Sequence, residues 1–144
     1  MGNIRPIAIG IFIHNGAILV FEGHDGPKDE IFYRPLGGGI DFGEPSRDTL
    51  VREMREEIGA EITALRYLGT LESIFVHGDE GGHEIVQVYA AELVDTSLYE
   101  RQEMTGVEDD GTPFKVLWKP LADFKNGGPP IYPDGLLEFL DSVE

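Results

Sequence analysis

Four glutamates with the spacing of a metal site lie within residues 38–60, a stretch that reads GGIDFGEPSRDTLVREMREEIGA. Glu53, Glu56 and Glu57 are spaced so that a helix places their carboxylates on one face. Carboxylates this close repel one another, and a single arginine, Arg52, does not offset all of them. Oxygen ligands without Cys or His favour a hard divalent ion such as Mg²⁺ or Mn²⁺. The spacing therefore predicts a metal site; an acidic helix that merely faces solvent is the alternative.

The same stretch carries the signals of the helix that must position these carboxylates. Pro45 suits the first helical position, Asp48 places negative charge near the positive end of the helix, and Gly59 is a typical stop. Apolar residues recur on another face and predict packing against a core, namely Leu50, Val51, Met54 and Ile58. Upstream, the glycines at 37–39 allow a tight turn in which a main-chain carbonyl can approach the same ion.

Residues 38–60 resemble the signature of the Nudix hydrolase family at every fixed position. The matching residues are Gly38, Glu44, Arg52, Glu53, Glu56, Glu57 and Gly59. Two departures touch no carboxylate: Ala60 is smaller than the aliphatic residue usual there, and Pro35 is displaced from the glycines. The resemblance implies an α/β protein with the Nudix fold, a mixed β-sheet sandwiched between helices (α/β/α). It also implies an enzyme of the MutT or ADP-ribose pyrophosphatase type.

In that family, water attacks one phosphorus of a diphosphate while divalent ions are held by the helix. Carried over by position, the metal ligands implied here are the Gly38 carbonyl, Glu44, Glu53, Glu56 and Glu57, with Mg²⁺ as the cofactor and Mn²⁺ as a substitute. Arg52, Glu53 and Glu56 are the implied catalytic residues, and Glu56 is the general base within the helix. Family members place this base differently, so Glu103 and Glu108, in a later loop, remain open as alternatives.

Residues outside this stretch must determine the substrate. Arg34, just before the glycines, can pair with a phosphate, and Phe75 and Tyr89, with Phe32 and His77, can form a surface on which a base stacks. Glu84 can accept hydrogen bonds from a ribose or a base. For each residue there is a plain structural alternative: a solvated arginine, core aromatic side chains and a surface acid on an edge strand.

Length, charge and cysteine content limit the class of protein. The 144 residues predict one domain, 1–144, of ordinary size. The formal net charge of −16 repels phosphate backbones and argues against a long nucleic acid as partner. A small nucleotide is acceptable only where divalent ions and a few arginines invert the local potential. The chain has no cysteine, which suits the cytoplasm, and no stretch of membrane-spanning length. A homodimer is open, although no residue pattern marks an interface.

The rest of the chain reads as strands and turns with a second helix. Residues 7–13 and 17–22 predict a hairpin through Asn15-Gly16. Further strands are expected at 31–36, 62–77, 83–93 and 113–118. Loops are expected at 23–30 and 78–82, and a mobile loop at 95–112, whereas leucines at helical spacing after Gly135 predict the second helix.

Three functions follow from these expectations. The first is a pyrophosphohydrolase that cleaves the diphosphate bridge of a small nucleoside diphosphate linked to another group, with ADP-ribose or a nucleotide sugar as the first substrate to test. The second is a nucleoside triphosphate pyrophosphatase that removes damaged or surplus nucleotides. The third, from another class, is a module that senses nucleotides without cleaving them. Such modules often lose carboxylates that are all present here. A prenyl diphosphate isomerase is set aside because its usual cysteine is missing.

Overall fold

The computed structural model describes residues 2–26, 28–77 and 80–143 and shows strands arranged in two sheets with two α-helices. The strands are β1 (Ile4–Ile11), β2 (Ile13–His14), β3 (Ala17–Asp25), β4 (Glu30–Arg34), β5 (Gly37–Gly39), β6 (Ile62–His77), β7 (Glu80–Leu93), β8 (Glu103–Val107) and β9 (Pro113–Pro120). The helices are α1 (Ser46–Ile58) and α2 (Leu136–Ser142), with short 3-10 helices at Thr96–Glu100 and Leu121–Phe124. Among the described residues, no helix has the length and apolar character needed to span a bilayer.

The first sheet is mixed, with strand order β5-β1-β7-β6. Strands β1 and β7 run parallel, whereas β1 with β5 and β7 with β6 are antiparallel. The second sheet has the order β2-β3-β9-β8, with β4 also paired to β3, and all of its pairs are antiparallel. The predicted combination of a mixed sheet with helices is therefore confirmed, and the second sheet is an addition to it.

Alternation along β1 divides the core in two. Ile7 and Ile9 point from one face into a cluster shared with α2 and the second sheet. Ala8 points from the other face toward Leu50 and Met54 of α1, both fully buried. Burial of Leu50 and Met54 fixes α1 against the mixed sheet, because each of these two side chains contributes roughly 1.5–3 kcal/mol on leaving water. The helix that carries the glutamates thus lies directly beside β1 and β5.

The predicted hairpin between residues 7–13 and 17–22 is wrong in its pairing. β1 pairs with β5 and β7 in the mixed sheet, and only the two residues of β2 pair with β3 across the Asn15-Gly16 turn. Asn15 and Gly16 both have positive φ, as the turn requires. The chain crosses between the sheets at Phe12, whose side chain is buried. A continuous apolar run cannot reveal such a crossing, because Ile11 and Ile13 are the same residue type although Ile11 is buried and Ile13 is exposed.

All three predicted loops are partly wrong. Residues 95–112 contain a 3-10 helix and β8, whose burial alternates through Met104 and Gly106. A methionine and a glycine carry little β-propensity, which is why the pattern did not predict a strand. Strands extend into residues 23–30 from both ends, since β3 continues to Asp25 and β4 begins at Glu30. In the turn expected at 78–82, β7 already begins at Glu80, and residues 78–79 lie outside the described residues.

Candidate active site

The glycines of β5 bring the main chain against the carboxylates of α1. A Cβ atom at Gly38 would overlap the Glu53 carboxylate, so only glycine lets Glu53 lie this close to the backbone. At Gly37 a Cβ would instead collide with the Ala8 carbonyl of the neighbouring strand, and φ is +153°. The predicted approach of the glycine run to the acidic helix face is therefore present, with Glu53 as its nearest carboxylate.

One carboxylate oxygen of Glu57 is available to bind a cation. The Gly37 N–H donates to this carboxylate, yet Oε1 is buried and has no hydrogen-bond partner among the described residues. Burial, followed by the charge of Glu53, raises the pKa of Glu57 to about 8. Burial likewise raises the pKa of Glu53, against the opposing effect of Arg52. An orphaned carboxylate oxygen is costly unless a cation or a proton satisfies it.

Arg52 binds Glu44 more closely than any of the helix glutamates. Its Nε donates to Glu44 Oε2 at 2.9 Å and its Nη2 to Oε1 at 3.0 Å, a bidentate pair. Thr49 Oγ1 also donates to Glu44 Oε1 at 2.7 Å. Arg52, followed by Thr49, lowers the pKa of Glu44 to about 2. Glu44 therefore ties α1 to the preceding loop, and its part in metal binding stays a prediction.

The same guanidinium extends to the other acids of the cluster. Arg52 Nη1 lies 3.3 Å from Glu53 Oε1 and 3.4 Å from Glu56, so the pairing with Glu56 that the spacing suggests is present but long. Nη2 donates to the Gly39 carbonyl at 3.1 Å. Arg52 thus joins the glycine run, the loop carboxylate and the helix face, which makes it a positioning residue in this arrangement.

These residues fit a hard divalent ion. Across the described parts of the chain, no group of three or more acidic or histidine side chains is already arranged around one point. Glu53, however, lies against Gly38, and Glu57 Oε1 is buried without a hydrogen-bond partner among the described residues, so the side-chain donors at this point are all oxygens, a set that suits Mg²⁺ or Mn²⁺. Glu53 and Glu57 would hold the ion, joined by Glu56. Such an ion lowers the pKa of bound water and stabilises charge on phosphate oxygens.

Two predicted substrate residues form a buried ion pair in a cavity of about 690 Å³. Arg34 Nη2 donates to Glu84 Oε1 at 2.8 Å, and their side chains are 19% and 6% exposed. Phe32 and Phe75 line the same cavity. Strands of both sheets contribute to this lining, so the cavity lies where the sheets face each other. The structure therefore brings Arg34, Glu84 and Phe75 together, as their predicted common role requires.

Other candidates lie elsewhere. The Tyr89 hydroxyl lies 2.6 Å from Ser46 Oγ at the start of α1, and its ring packs against Tyr67 on the face of the mixed sheet opposite Glu84. Glu103 lies 3.5 Å from Lys115 on β8 and β9 and is not close to the Glu84 pair. Glu108 does line the cavity. The side chain of His77 lies outside the described residues.

Sequence reasoning missed two residues near the site. The charge of Asp109, in the turn between β8 and β9, raises the pKa of both Glu53 and Glu57, which places it near them. Arg5 on β1 lines the cavity beside Glu84. Neither stands in a motif, and both reach the site through strand pairing. Asp109 could have been found from the sequence through a prediction of β8, because it lies in the turn that follows this strand.

Comparison with known proteins identifies the family. The sequence profile of the NUDIX domain matches residues 4–134. No curated protein matches the chain at a significant level. Solved structures share the fold at low identity.

The MutT NUDIX hydrolase of Burkholderia pseudomallei superposes with a TM-score of 0.62 at 16% identity, over 99% of this chain and 100% of that one. The NUDIX hydrolase of Nitrosomonas europaea gives 0.68 at 12% identity, over 96% and 87%. The ORF135 protein of E. coli gives 0.59 at 21% identity, over 98% and 91%. With a domain match over residues 4–134 and with Arg52, Glu53 and Glu57 in contact with the glycine run, the chain belongs to the Nudix family and is a hydrolase of pyrophosphate bonds.

Proposed function

We propose that the chain is a divalent-metal-dependent pyrophosphohydrolase that cleaves the diphosphate bridge of a small nucleoside diphosphate linked to a second group. ADP-ribose or a nucleotide sugar is the first substrate to test. The observation that carries the proposal is the buried Oε1 of Glu57, which has no hydrogen-bond partner in the described part of the chain. The Glu57 carboxylate accepts from Gly37, and Glu53 lies against Gly38. A cation at this point satisfies the orphaned oxygen and removes the repulsion between the two carboxylates.

The residues have distinct parts in the proposed reaction. Glu53 and Glu57, with Glu56 and the Gly38 carbonyl, hold the ion, while Arg52 and Glu44 keep the helix against the loop. The water oxygen forms a bond to one phosphorus, the bond from that phosphorus to the bridging oxygen breaks, and the water proton passes to a carboxylate. Glu56 is the proposed base, since it is exposed on the helix face; Glu108, at the cavity, is the alternative on the loop.

The cavity supports a nucleoside-sized ligand. Its volume of about 690 Å³ lies within the usual range for small-molecule sites, roughly 300–1,000 Å³. Phe32 and Phe75 offer aromatic surface, and the Arg34–Glu84 pair supplies fixed polar groups. Aromatic faces with a few placed polar groups suit a base and its ribose, while an ion at Glu53 and Glu57 would draw the diphosphate.

A nucleoside triphosphate pyrophosphatase is the second candidate. Similar folds include proteins described as MutT from Burkholderia pseudomallei and from Bacillus halodurans. The two candidates differ in products, because a triphosphate would give a monophosphate and pyrophosphate, whereas ADP-ribose would give AMP and ribose 5-phosphate.

Product analysis separates the candidates. Purified protein is incubated with Mg²⁺ or Mn²⁺ and a panel of nucleotide sugars, ADP-ribose, dinucleoside polyphosphates, and normal and oxidised triphosphates, and products are resolved by chromatography. Two monophosphates from a diphosphate-linked substrate support the proposal, and turnover confined to triphosphates supports the second candidate. A nucleotide that binds with the metal yet stays intact would refute both and favour the sensing module. Glu57→Gln is the control for contaminating hydrolases.

A further inference from the structure

Arg5 lies between the glycine run and the cavity. On the mixed sheet β1 separates β5 from β7, and Arg5 is the register partner of Glu84. On its other side, a Cβ built at Gly39 would lie 3.2 Å from Arg5 Nη2, an unusually close contact. Because Gly39 has no side chain, the guanidinium can extend over the end of β5. Arg5 is therefore adjacent to Gly39, the chain neighbour of the Gly38 that contacts Glu53, and to the ion pair in the cavity.

The donors of Arg5 are largely uncommitted. Its side chain is 63% exposed, and its one polar contact within the described parts of the chain is an ion pair of 3.9 Å with Glu84 Oε2. That distance is too long for a hydrogen bond. Glu84 already accepts from Arg34 at 2.8 Å through its other oxygen. A guanidinium presents five N–H donors in a planar fork. These donors therefore remain available for a bidentate pair with an oxyanion.

The other cations near the cavity are already paired with acceptors of the chain at short distances. Arg34 is held on Glu84 and is mostly buried. Lys28 Nζ donates to the Val76 carbonyl at 3.0 Å and lies 3.9 Å from Asp25. In a chain with a formal net charge of −16, a phosphate needs a local positive charge that its neighbours do not already neutralise. Arg5 meets this condition, and it does so at the side of the cavity nearest the glycine run.

We propose that Arg5 forms a phosphate subsite, which binds the phosphate of the substrate diphosphate that lies toward the cavity. The inference rests on the proposed function, because it takes the other phosphate to lie at Glu53 and Glu57. In this arrangement the diphosphate spans from the glycine run to the cavity, and the organic group beyond it reaches Phe75. Arg34 then acts as a positioning residue that holds Glu84, and Arg5 is the residue that determines binding of a diphosphate.

Calorimetric titration of inorganic pyrophosphate in the presence of Mg²⁺ tests the subsite without requiring the identity of the nucleotide. We expect Arg5→Ala to weaken pyrophosphate binding roughly 10- to 100-fold, the range for a charge-assisted hydrogen-bonded pair. Arg5→Lys keeps the charge without the fork and should recover part of the affinity. The matched control is Arg66→Ala, which removes the same charge from an exposed position near the start of β6. This variant should change pyrophosphate binding less than twofold.

A second titration with Mg²⁺ alone separates the subsite from damage to the metal loop, because Arg5→Ala should leave the affinity for the ion unchanged. The proposal is overturned if Arg5→Ala binds pyrophosphate like the wild type, if Arg66→Ala has an equal effect, if Mg²⁺ affinity falls in parallel, or if the wild type does not bind pyrophosphate. Loss of pyrophosphate binding in Arg5→Ala, with no hydrolysis of any nucleotide by the wild type, refutes the proposed function but keeps the subsite. Hydrolysis by the wild type, with undiminished pyrophosphate binding by Arg5→Ala, keeps the proposed function and refutes the subsite.

Discussion

Replacing Glu57 with glutamine should remove a pH-dependent loss of stability from the metal-free protein. The pKa of Glu57 is about 8 in the folded chain, against an ordinary 4.5, so the native state holds a proton that the unfolded state releases between these values. By linkage, stability then falls as pH rises from 4.5 through 8 and is constant above that range. The difference corresponds to roughly 5 kcal/mol once the carboxyl is fully ionised.

The assay is urea unfolding with EDTA between pH 5 and pH 9. The wild type and Glu57→Gln should have similar free energies of unfolding at pH 5, where the Glu57 carboxyl is protonated. At pH 9 the variant should be more stable by several kcal/mol. Groups that titrate identically in both proteins cancel in the difference. Glu138→Gln, at an exposed position on α2, is the matched control and should follow the wild type at every pH.

Magnesium should reverse the order of stability at high pH. An ion bound to the folded state alone stabilises the wild type by mass action, whereas the amide of the variant is a weaker ligand. We also expect Glu57→Gln to lose several orders of magnitude in turnover while it remains folded. If the two metal-free unfolding curves stay parallel from pH 5 to pH 9, or if Mg²⁺ stabilises both proteins equally, the assignment of Glu57 to a buried cation site is refuted.

Further predictions concern neighbouring residues. Gly38→Ala should fold but lose roughly 100-fold in turnover, because its Cβ displaces the Glu53 carboxylate. Gly37→Ala should fail to fold, because its Cβ overlaps the Ala8 backbone. Soluble yield and circular dichroism of the two variants check this difference. The pKa of Glu44 is lowered to about 2, so its stabilising contribution is complete above pH 4.5 and disappears as pH falls toward 2. The difference in melting temperature between the wild type and Glu44→Gln should therefore narrow from pH 7 to pH 2.5, and a constant gap would contradict this. Glu84→Gln should cost roughly 1–3 kcal/mol in urea unfolding because Arg34 loses its charged acceptor, and a loss no larger than that of Glu138→Gln would show the buried pair to be unimportant.

The local features of the site were predictable from sequence. Helix α1 ends at Gly59 as expected, because its apolar face and its left-handed terminal glycine are encoded within a few residues. It begins at Ser46, one residue later than expected, because Pro45 has an extended backbone and is the N-cap. The placement of the Glu53 carboxylate against Gly38 also follows from the motif and is seen in the structure. Short-range spacing is sufficient for such features, since neighbours in the chain decide them.

Features that depend on pairing between distant segments were not predictable. Spacing suggested that Arg52 pairs with Glu56, one helical turn away, yet its bidentate partner is Glu44 in the loop before the helix. Arg5 reaches Glu84 because β1 pairs with β7, and Asp109 approaches the carboxylates from a strand pair that includes the unpredicted β8. No periodicity within one segment records which other segment lies beside it.

The parallel pairing of β1 with β7 also determines when the site can be assembled. Ile4 pairs with His83, and Ile11 with Ala90, so β1 leaves the ribosome long before its central partner exists. At about 5–20 residues per second, that delay is roughly 4–16 s. During it, the isoleucines of β1 have no sheet to cover them, and the glycine run has no completed sheet against which to hold α1. The nascent chain is therefore open to aggregation or chaperone binding in this interval, and catalytic competence arrives only with the second half of the chain.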